Sequence, residues 1–330
     1  MNEPVLFVGV DGGGSHTIAL AGPSGRDLLG RGEAGPSNPS ALGFEAATAA
    51  IGAAVRRALA QALAQALAQT GAAAPAPPDP TDVAGAAARI TMGVAGAGRP
   101  ADGARLAGLV ASEFGLPAAR VRVLQDVALL LPAAGLSSGI AIVAGTGSSV
   151  FGVAPDGRAA TAGGWGYLLG DEGSAFFVGR EALLAVARAE DGTGQPTALT
   201  EAALGHYRVA TPRDLITAVY QSAHPRTAIA DLAPTVVETA AGDPTARAIL
   251  ASGASELGRC AIALATRLGL RDPPVVAVGG MFRAGALMLD PLAAELSAAG
   301  LQPPRLLEAE PALGALRLAA GELPEPRPPG

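Results

Sequence analysis

Two glycine-rich turns, one in each half of the chain, contain the residue types that bind phosphate. The first is Asp11-Gly-Gly-Gly-Ser-His-Thr17 and the second is Gly145-Thr-Gly-Ser148, and each directly follows an apolar run. Glycine lets the main chain approach a ligand closely, and successive N–H groups in a tight turn form a concave anion-binding surface. Two such turns on facing lobes could hold the polyphosphate of a nucleotide from both sides.

Asp11 is a candidate magnesium ligand at the end of the first apolar run. Mg²⁺ prefers one or two carboxylates together with phosphate oxygens, and it often binds protein groups through water. A plain hairpin turn also explains an Asp-Gly-Gly-Gly sequence, but the presence of a second turn of the same type favours phosphate binding.

A third glycine-rich stretch contains the single tryptophan of the chain and an acidic pair. It is Gly163-Gly-Trp-Gly-Tyr-Leu-Leu-Gly-Asp-Glu-Gly-Ser174. The alternative interpretation makes Asp171 or Ser174 a helix N-cap and Trp165 a core residue. An aromatic wall, main-chain amides and a carboxylate are also what a sugar site requires, so the stretch is a candidate sugar-binding segment.

The elements that position these residues are predicted by an internal repeat. Each glycine-rich turn lies between two short apolar runs, and each second run leads to a Pro-x-Gly-Arg turn, at Pro23–Arg26 and at Pro155–Arg158. Such runs bounded by turn residues are typical of β-hairpins. A helix is expected from about Ala41 to Gln69, a surface loop over the proline-rich residues 72–80, and a buried strand at Val275–Val278. With the helical segments that follow the hairpins, each half fits a β-β-β-α-β-α-β order, which predicts two related α/β lobes.

Composition restricts the chemistry further. The chain has 330 residues, 49% of them hydrophobic, and a net charge of −6, so a nucleic-acid partner is not expected. All 23 basic residues are arginine. The absence of lysine excludes a P-loop, a protein-kinase site and Schiff-base chemistry.

The remaining sequence features predict a cytoplasmic protein without a membrane partner. The N-terminal residues lack the basic region of a signal peptide, and Gly, Pro or a charge interrupts each apolar stretch before it reaches about 18 residues. Cys260 is the single cysteine and lies in a helical-looking run. It is interpreted as a buried helix residue, not as part of a disulfide or a cysteine-rich metal site.

Six motifs in order along the chain resemble one family. They are Asp11-Gly-Gly-Gly-Ser-His-Thr, Ser37-Asn-Pro, Gln125-Asp-Val, Gly145-Thr-Gly-Ser, Gly163-Gly-Trp-Gly-Tyr-Leu-Leu-Gly-Asp-Glu-Gly-Ser-Ala and Val278-Gly-Gly-Met. Together they resemble the N-acetylglucosamine kinases of the BadF/BadG/BcrA/BcrD-type ATPase family, within the actin-like ATPases. The resemblance implies an α/β protein of two ribonuclease-H-like domains, an active site in the interdomain cleft, ATP and Mg²⁺ as cofactors and, often, a homodimer.

The resemblance also implies roles for individual residues. The phosphate-binding residues would be Gly12, Gly13, Gly14, Ser15 and Thr17 in the first turn and Gly145, Thr146, Gly147 and Ser148 in the second, with Gly279 and Gly280 at the adenosine. The amino-sugar contacts would be Asn38, Asp126, Gly164, Trp165, Gly166 and Asp171. Asp11 would bind Mg²⁺ through water, and Asp126 would be the catalytic base.

The domain limits expected from these motifs are residues 1–126, joined by a returning C-terminal helix at about 311–322, and residues 127–310. Residues 323–330, rich in proline, are expected to be disordered.

The predicted reaction is in-line transfer of the ATP γ-phosphoryl group to a sugar hydroxyl, most simply the 6-OH of N-acetylglucosamine, with Asp126 accepting the hydroxyl proton. Since lysine is absent, Mg²⁺, main-chain N–H groups and an arginine would have to meet the phosphate charge.

Three alternatives stay open. One is a glucosamine kinase of the same fold, because the sequence does not settle whether the pocket accepts an acetyl group. Another is an ATPase activator of the same family, although such proteins use cysteines to hold an iron–sulfur cluster and Cys260 has no partner motif. The last is a non-catalytic sugar sensor, against which the presence of both turns and of Asp126 argues.

Overall fold

The chain consists of two compact units. A computed structural model describes residues 5–69 and 87–327. Met1–Ser137 and Leu307–Pro326 form unit 1, and the remainder of the chain forms unit 2.

Unit 1 is built on a five-stranded mixed sheet with the order β3-β2-β1-β4-β5. Its strands are β1 Leu6–Gly12, β2 Thr17–Gly22, β3 Gly30–Ala34, β4 Ala87–Val94 and β5 Val121–Leu124. The first three strands form an antiparallel meander, whereas β4 and β5 run parallel to β1. The carboxyl ends of three parallel strands therefore meet at one edge, where open α/β sheets bind their ligands.

Helices cover both faces of this sheet. They are α1 Pro39–Leu42, α2 Phe44–Gln69, α3 Pro100–Glu113, α4 Leu130–Ala133 and, after unit 2, α12 Pro311–Ala319, with 3₁₀ turns at Ala118–Arg120 and Asp126–Leu129. A side chain at Gly30 or Gly32 would overlap the backbone of α2, and one at Gly9 would overlap α12. Strand glycines thus allow helices to pack closely on the sheet.

Unit 2 repeats the same sheet plan. The strand order is β10-β9-β6-β7-β8, with β6 Gly139–Ala144, β7 Ser148–Val153, β8 Ala159–Gly163, β9 Val275–Val278 and β10 Arg305–Leu306. Again the first three strands form an antiparallel meander, and β9 runs parallel to β6. The predicted repeat and the predicted α/β fold of two related domains are confirmed.

Seven helices among the described residues complete unit 2. They are α5 Ala175–Glu190, α6 Leu199–Tyr207, α7 Asp214–Tyr220, α8 Pro225–Ala230, α9 Ala233–Thr239, α10 Pro244–Leu268 and α11 Ala286–Ala298, with a 3₁₀ turn at Gly280–Ala284. By length and composition α10 could cross a membrane. Residues such as Leu250, Leu257 and Leu264 on α10 are instead fully or almost fully buried in the core of unit 2.

Two expectations from the sequence differ from the structure in detail, and a third falls outside the described residues. The long helix expected from Ala41 begins at Phe44, because Gly43 has a φ of 83° and separates it from α1. The proline-rich loop expected at residues 72–80 lies outside the described residues. The first boundary between units lies after Ser137, because the helical turns that follow Asp126 pack with α12 in unit 1.

The C-terminal segment is also more ordered than the sequence suggests. Helix α12 ends at Ala319, and residues 320–327 are described. Glu325 forms an ion pair with Arg122 of unit 1 at 2.7 Å, and Arg327 lies beside Arg158 in unit 2. Residues 328–330 lie outside the described part of the chain.

Candidate active site

The first glycine-rich turn connects β1 to β2 at the carboxyl edge of the unit 1 sheet. Gly13 N–H donates to the carbonyl oxygen of His16 at 3.0 Å. Within the described residues, the N–H groups of Gly14, Ser15 and His16 have no acceptor. A Cβ added to Gly14 would meet no atom within 4 Å. The turn therefore presents exposed main-chain donors, as an anion-binding loop must.

Two of the predicted phosphate-binding residues in this turn, Gly12 and Thr17, are buried and support the loop. The Thr17 hydroxyl donates to the carbonyl oxygen of Gly35 at 2.7 Å and is hydrogen-bonded to the Ser37 hydroxyl at 2.8 Å. A Cβ on Gly12 would lie 2.5 Å from Oγ of Ser37. Thr17 and Gly12 thus fix the turn against the chain that precedes α1, and Gly14 and Ser15 face outward.

Two carboxyl groups lie at the same sheet edge. Burial raises the pKa of Asp11 to about 6, with further increases from the charges of Asp126 and Glu310 and an opposing effect of His16. Burial also raises the pKa of Asp126, while the hydrogen bond from Val127 N–H, at 2.9 Å, opposes that rise. Asp11 and Asp126 therefore interact electrostatically within unit 1 and both favour the protonated form more than an ordinary carboxyl.

The two carboxyls match the requirements of a magnesium site. In the described part of the chain, the Asp11 side chain has no hydrogen-bond partner, and no group of three or more His, Cys, Asp or Glu side chains could hold a metal alone. Mg²⁺ is commonly held by one or two carboxylates and completes its shell with phosphate oxygens and water. The donor set around Asp11 fits an ion that arrives with a nucleotide.

The raised pKa of Asp11 predicts a stability effect in the metal-free protein. Between the ordinary value of 3.8 and about 6, the folded chain binds more protons at Asp11 than the unfolded chain does. Stability therefore falls as pH rises through this window and stays lower above it. Asp11→Asn, which leaves no charge to bury, should raise the free energy of unfolding by about 1–3 kcal/mol above pH ~7 and have little effect near pH ~4.

Thermal or urea unfolding at both pH values, with EDTA present, measures this difference. A variant that is less stable than the parent chain above neutrality would show that contacts stabilise the Asp11 carboxylate in the fold. Asp27→Asn, which changes an exposed aspartate of the same unit, is the matched control.

Asn38 lies at the N-terminus of α1, near the chain that leaves β4. Its Oδ1 accepts a hydrogen bond from Ser40 N–H at 2.9 Å, as an N-cap does. The same oxygen lies so close to Gly96 that a Cβ there would overlap it, and Gly96 has a φ of 79°. The amide nitrogen of Asn38 has no partner among the described residues and is available to a ligand.

The second glycine-rich turn connects β6 to β7 in unit 2. Gly145 N–H donates to the Gly147 carbonyl oxygen at 2.9 Å, and Ala175 N–H at the start of α5 donates to the Gly145 carbonyl oxygen at 2.8 Å. The N–H groups of Thr146 and Gly147 have no acceptor in the described part of unit 2. This turn therefore offers the same kind of free main-chain donors as the turn in unit 1.

Asp171 supports the second turn. It is buried and has a left-handed φ of 63°. Its Oδ1 accepts a hydrogen bond from Ser148 N–H at 3.2 Å, and its Oδ2 accepts one from Nη2 of Arg226 at 3.3 Å. The structure thus brings the predicted residues Gly147, Ser148 and Asp171 together. Arg226 also belongs to this cluster, and no local sequence pattern identifies it.

Trp165 is exposed and not a core residue. The residue is 76% exposed, and Gly164 and Gly166 beside it have positive φ values of 70° and 84°. Leu168 and Leu169 are similarly exposed. The glycines turn this segment so that an aromatic and an apolar surface face solvent, which suits the flat apolar face of a sugar ring.

The two predicted adenosine glycines follow β9 and differ sharply in their surroundings. Gly279 has a φ of 122°, and a Cβ there would overlap the carbonyl oxygen of Ala144 at the end of β6. A Cβ on Gly280 would meet no atom within 4 Å. The fold therefore requires glycine at position 279. Gly280 follows it beside the second turn, and its Cα faces open space.

Comparisons with known proteins identify the family of the chain. The model of the BadF/BadG/BcrA/BcrD ATPase family matches residues 8–319. An N-acetylmuramic acid/N-acetylglucosamine kinase of Clostridium acetobutylicum is 32% identical over 191 residues, which span 57% of this chain and 61% of that protein. An N-acetyl-D-glucosamine kinase of Dictyostelium discoideum is 28% identical over 88% of this chain and 90% of that protein.

Solved structures give the same result for the fold. A Chromobacterium violaceum protein provisionally named an N-acetylglucosamine kinase has a TM-score of 0.69 and 31% identity, covering 96% of this chain and 100% of that chain. A ROK family glucokinase of Streptomyces griseus has a TM-score of 0.55 at 17% identity, covering 96% of this chain and 99% of that chain, which extends the fold to more distant sugar kinases. By sequence and fold, the chain belongs to the BadF/BadG/BcrA/BcrD ATPase family.

Proposed function

We propose that the chain is an ATP-dependent amino-sugar kinase that transfers the γ-phosphoryl group of Mg-ATP to the 6-hydroxyl of N-acetylglucosamine. The observation that carries the proposal is the pair of glycine-rich turns, each at the carboxyl end of a central strand and each with unpaired main-chain N–H groups. The kinases named above, similar in sequence over much of the chain, support the choice of sugar.

Asp126 has the role of general base in this proposal. As the bond between the sugar O6 and the γ-phosphorus forms, the bond from that phosphorus to the bridging oxygen of ADP breaks, and the hydroxyl proton passes to the Asp126 carboxylate. Burial raises the pKa of Asp126, which brings its proton affinity closer to that required of a base near neutral pH. Asp11 would hold the Mg²⁺, which neutralises phosphate charge when bound.

The main-chain donors would bind the phosphates. Free N–H groups at Gly14 and Ser15 in the first turn, and at Thr146 and Gly147 in the second, supply hydrogen bonds that need no reorganisation during transfer. Gly280 would lie against the adenosine, where its open Cα allows close approach.

The amino sugar would be held by polar groups and one aromatic face. The side-chain NH₂ group of Asn38 has no partner among the described residues and could donate to the sugar. Each Asp171 oxygen accepts one hydrogen bond, from Ser148 or from Arg226, and has a further lone pair that could accept from a sugar hydroxyl. The exposed ring of Trp165, flanked by Gly164 and Gly166, would pack against the ring or the acetyl group of the sugar.

Mg²⁺, a homodimer and a cytoplasmic location complete the proposal. The free Asp11 carboxyl supports the metal. Ile216 and Tyr220, one turn apart on α7, are both exposed and provide an apolar face for a second copy, which light scattering would test. The cytoplasm is the compartment that supplies ATP.

A coupled ADP-release assay with Mg-ATP tests the function. The panel contains N-acetylglucosamine, glucosamine, N-acetylmannosamine, glucose and no sugar. We expect turnover with N-acetylglucosamine well above the sugar-free rate. Turnover restricted to glucosamine would move the proposal to the deacetylated substrate, and a rate equal to the sugar-free rate with every sugar would contradict a kinase acting on these substrates.

A further inference from the structure

A kinase without lysine must supply its positive charge to ATP in another way. The phosphate-binding lysine of a P-loop or of a protein kinase is not available here, since all 23 basic residues are arginine. Main-chain N–H groups and Mg²⁺ leave part of the triphosphate charge uncompensated as it shifts during transfer. An arginine next to a phosphate-binding turn is the remaining source of a fixed cation.

Arg226 lies directly against the second turn. Its Nη2 is 3.3 Å from Oδ2 of Asp171, and a Cβ on Gly147 would lie 3.0 Å from the same nitrogen. Gly147 is therefore a glycine whose missing side chain leaves room for the guanidinium. The cation lies beside one of the main-chain N–H groups that have no acceptor within the described residues.

The backbone of Arg226 is firmly held. Arg226 is the second residue of α8, and a side chain at Gly179 of α5 would overlap the carbonyl oxygen of Ile229, so the two helices are in close contact. The Tyr207 hydroxyl donates to the carbonyl oxygen of Ala228 at 2.9 Å. The guanidinium also lies 5.2 Å from the ring centre of Tyr167. These contacts place the cation and limit its movement.

The guanidinium is nevertheless available to a ligand. The side chain of Arg226 is 44% exposed, and its hydrogen bond to Asp171 uses one of five N–H donors. The planar arrangement of the remaining donors suits two oxygens of one phosphate group.

We propose that Arg226 binds the γ-phosphate of ATP and is a catalytic residue of the transfer step. The proposal rests on the proposed kinase function. Asp171 holds the guanidinium in place from one side, so that the donors on its other side remain free for phosphate oxygens.

The test compares the affinities for ATP and ADP by calorimetry with Mg²⁺ and without sugar. A residue that contacts only the γ-phosphate contributes to ATP binding and not to ADP binding. We expect Arg226→Ala to weaken ATP binding about tenfold or more and ADP binding by less than about threefold, and to lower kcat by about 10²-fold or more. Added guanidinium should restore part of the activity of this variant and none to the parent chain.

A second variant tests whether Arg226 acts through its positive charge or only through its hydrogen bond to Asp171. Arg226→Gln retains a hydrogen-bond donor toward Asp171 but removes the positive charge, so it should lose the preference for ATP over ADP as Arg226→Ala does. Arg213→Ala is the matched control, because it removes another exposed arginine of unit 2 that pairs with an aspartate, Asp191, at 2.9 Å. It should change neither affinity.

Other outcomes overturn the proposal. If the variants lose affinity for ATP and ADP equally, Arg226 only supports the turn. If ATP affinity is unchanged and only the affinity for an amino sugar that carries a carboxylate falls, the guanidinium binds the sugar and not the nucleotide. A parent chain that binds ATP but phosphorylates no sugar in the panel would contradict the proposed kinase function. The ratio of ATP affinity to ADP affinity, compared between the parent chain and Arg226→Ala, would still decide whether Arg226 contacts the γ-phosphate. A parent chain that binds neither nucleotide would overturn both.

Discussion

Asp126→Asn is expected to lower kcat for N-acetylglucosamine phosphorylation by about 10²–10⁴ and to leave ATP affinity nearly unchanged. Asparagine has almost the same shape and can still accept the hydrogen bond from Val127 N–H, so the 3₁₀ turn that begins at Asp126 should stay in place. It cannot accept the hydroxyl proton. Steady-state kinetics together with nucleotide calorimetry separate the two effects.

Asp27→Asn is the control for this experiment, since it neutralises an exposed carboxylate of the same unit without touching the sheet edge. It should behave as the parent chain. Near-normal kcat in Asp126→Asn would remove Asp126 from the role of base, and a loss of ATP affinity as large as the loss of kcat would indicate a role in binding instead.

The adjacent glycines after β9 are expected to respond oppositely to alanine. Gly279→Ala should lower the free energy of unfolding by about 2–5 kcal/mol, because Gly279 has a φ of 122° and the new methyl group would overlap the backbone of Ala144. Gly280→Ala should leave stability within about 0.5 kcal/mol, since the methyl group enters open space.

For nucleotide binding we expect the larger effect from Gly280→Ala, the variant with the smaller effect on stability. Gly280→Ala should weaken ATP and ADP binding to similar extents, because its methyl group would fill the space assigned to adenosine. Denaturant unfolding and calorimetry on both variants measure the pair. If Gly280→Ala binds nucleotide as the parent chain does, the adenosine lies elsewhere, and if Gly279→Ala is as stable as the parent chain, the close approach of β6 and β9 does not depend on that glycine.

The sheets could be predicted from the sequence because turn residues mark the ends of their strands. The Pro-x-Gly-Arg turns and the glycine-rich turns bound short apolar runs, and the structure has strands at these positions in both units. Strand β9 matches the predicted bounds at Val275 and Val278. The limit of unit 1 was harder to predict, because it depends on packing between the turns after Asp126 and a helix almost two hundred residues later.

The roles of individual site residues depend on contacts that a local pattern does not contain. Thr17 has the residue type of a phosphate ligand, yet its hydroxyl is buried by a partner twenty residues away, Ser37. Arg226 is separated from Asp171 by fifty-five residues and has no motif of its own. The absence of lysine indicated that an arginine was needed, but only the packing of α8 on α5 identifies which one.

The product of the reaction is the decisive evidence for phosphorylation of N-acetylglucosamine by this chain. The parent chain is incubated with Mg-ATP and N-acetylglucosamine, and the sugar fraction is analysed by mass spectrometry and by phosphorus NMR, with Asp126→Asn as the parallel control. We expect a sugar that has gained one phosphoryl group, with phosphorus coupled to the protons on C6, and no such product from the variant. ATP hydrolysis to inorganic phosphate without any phosphorylated sugar would contradict it.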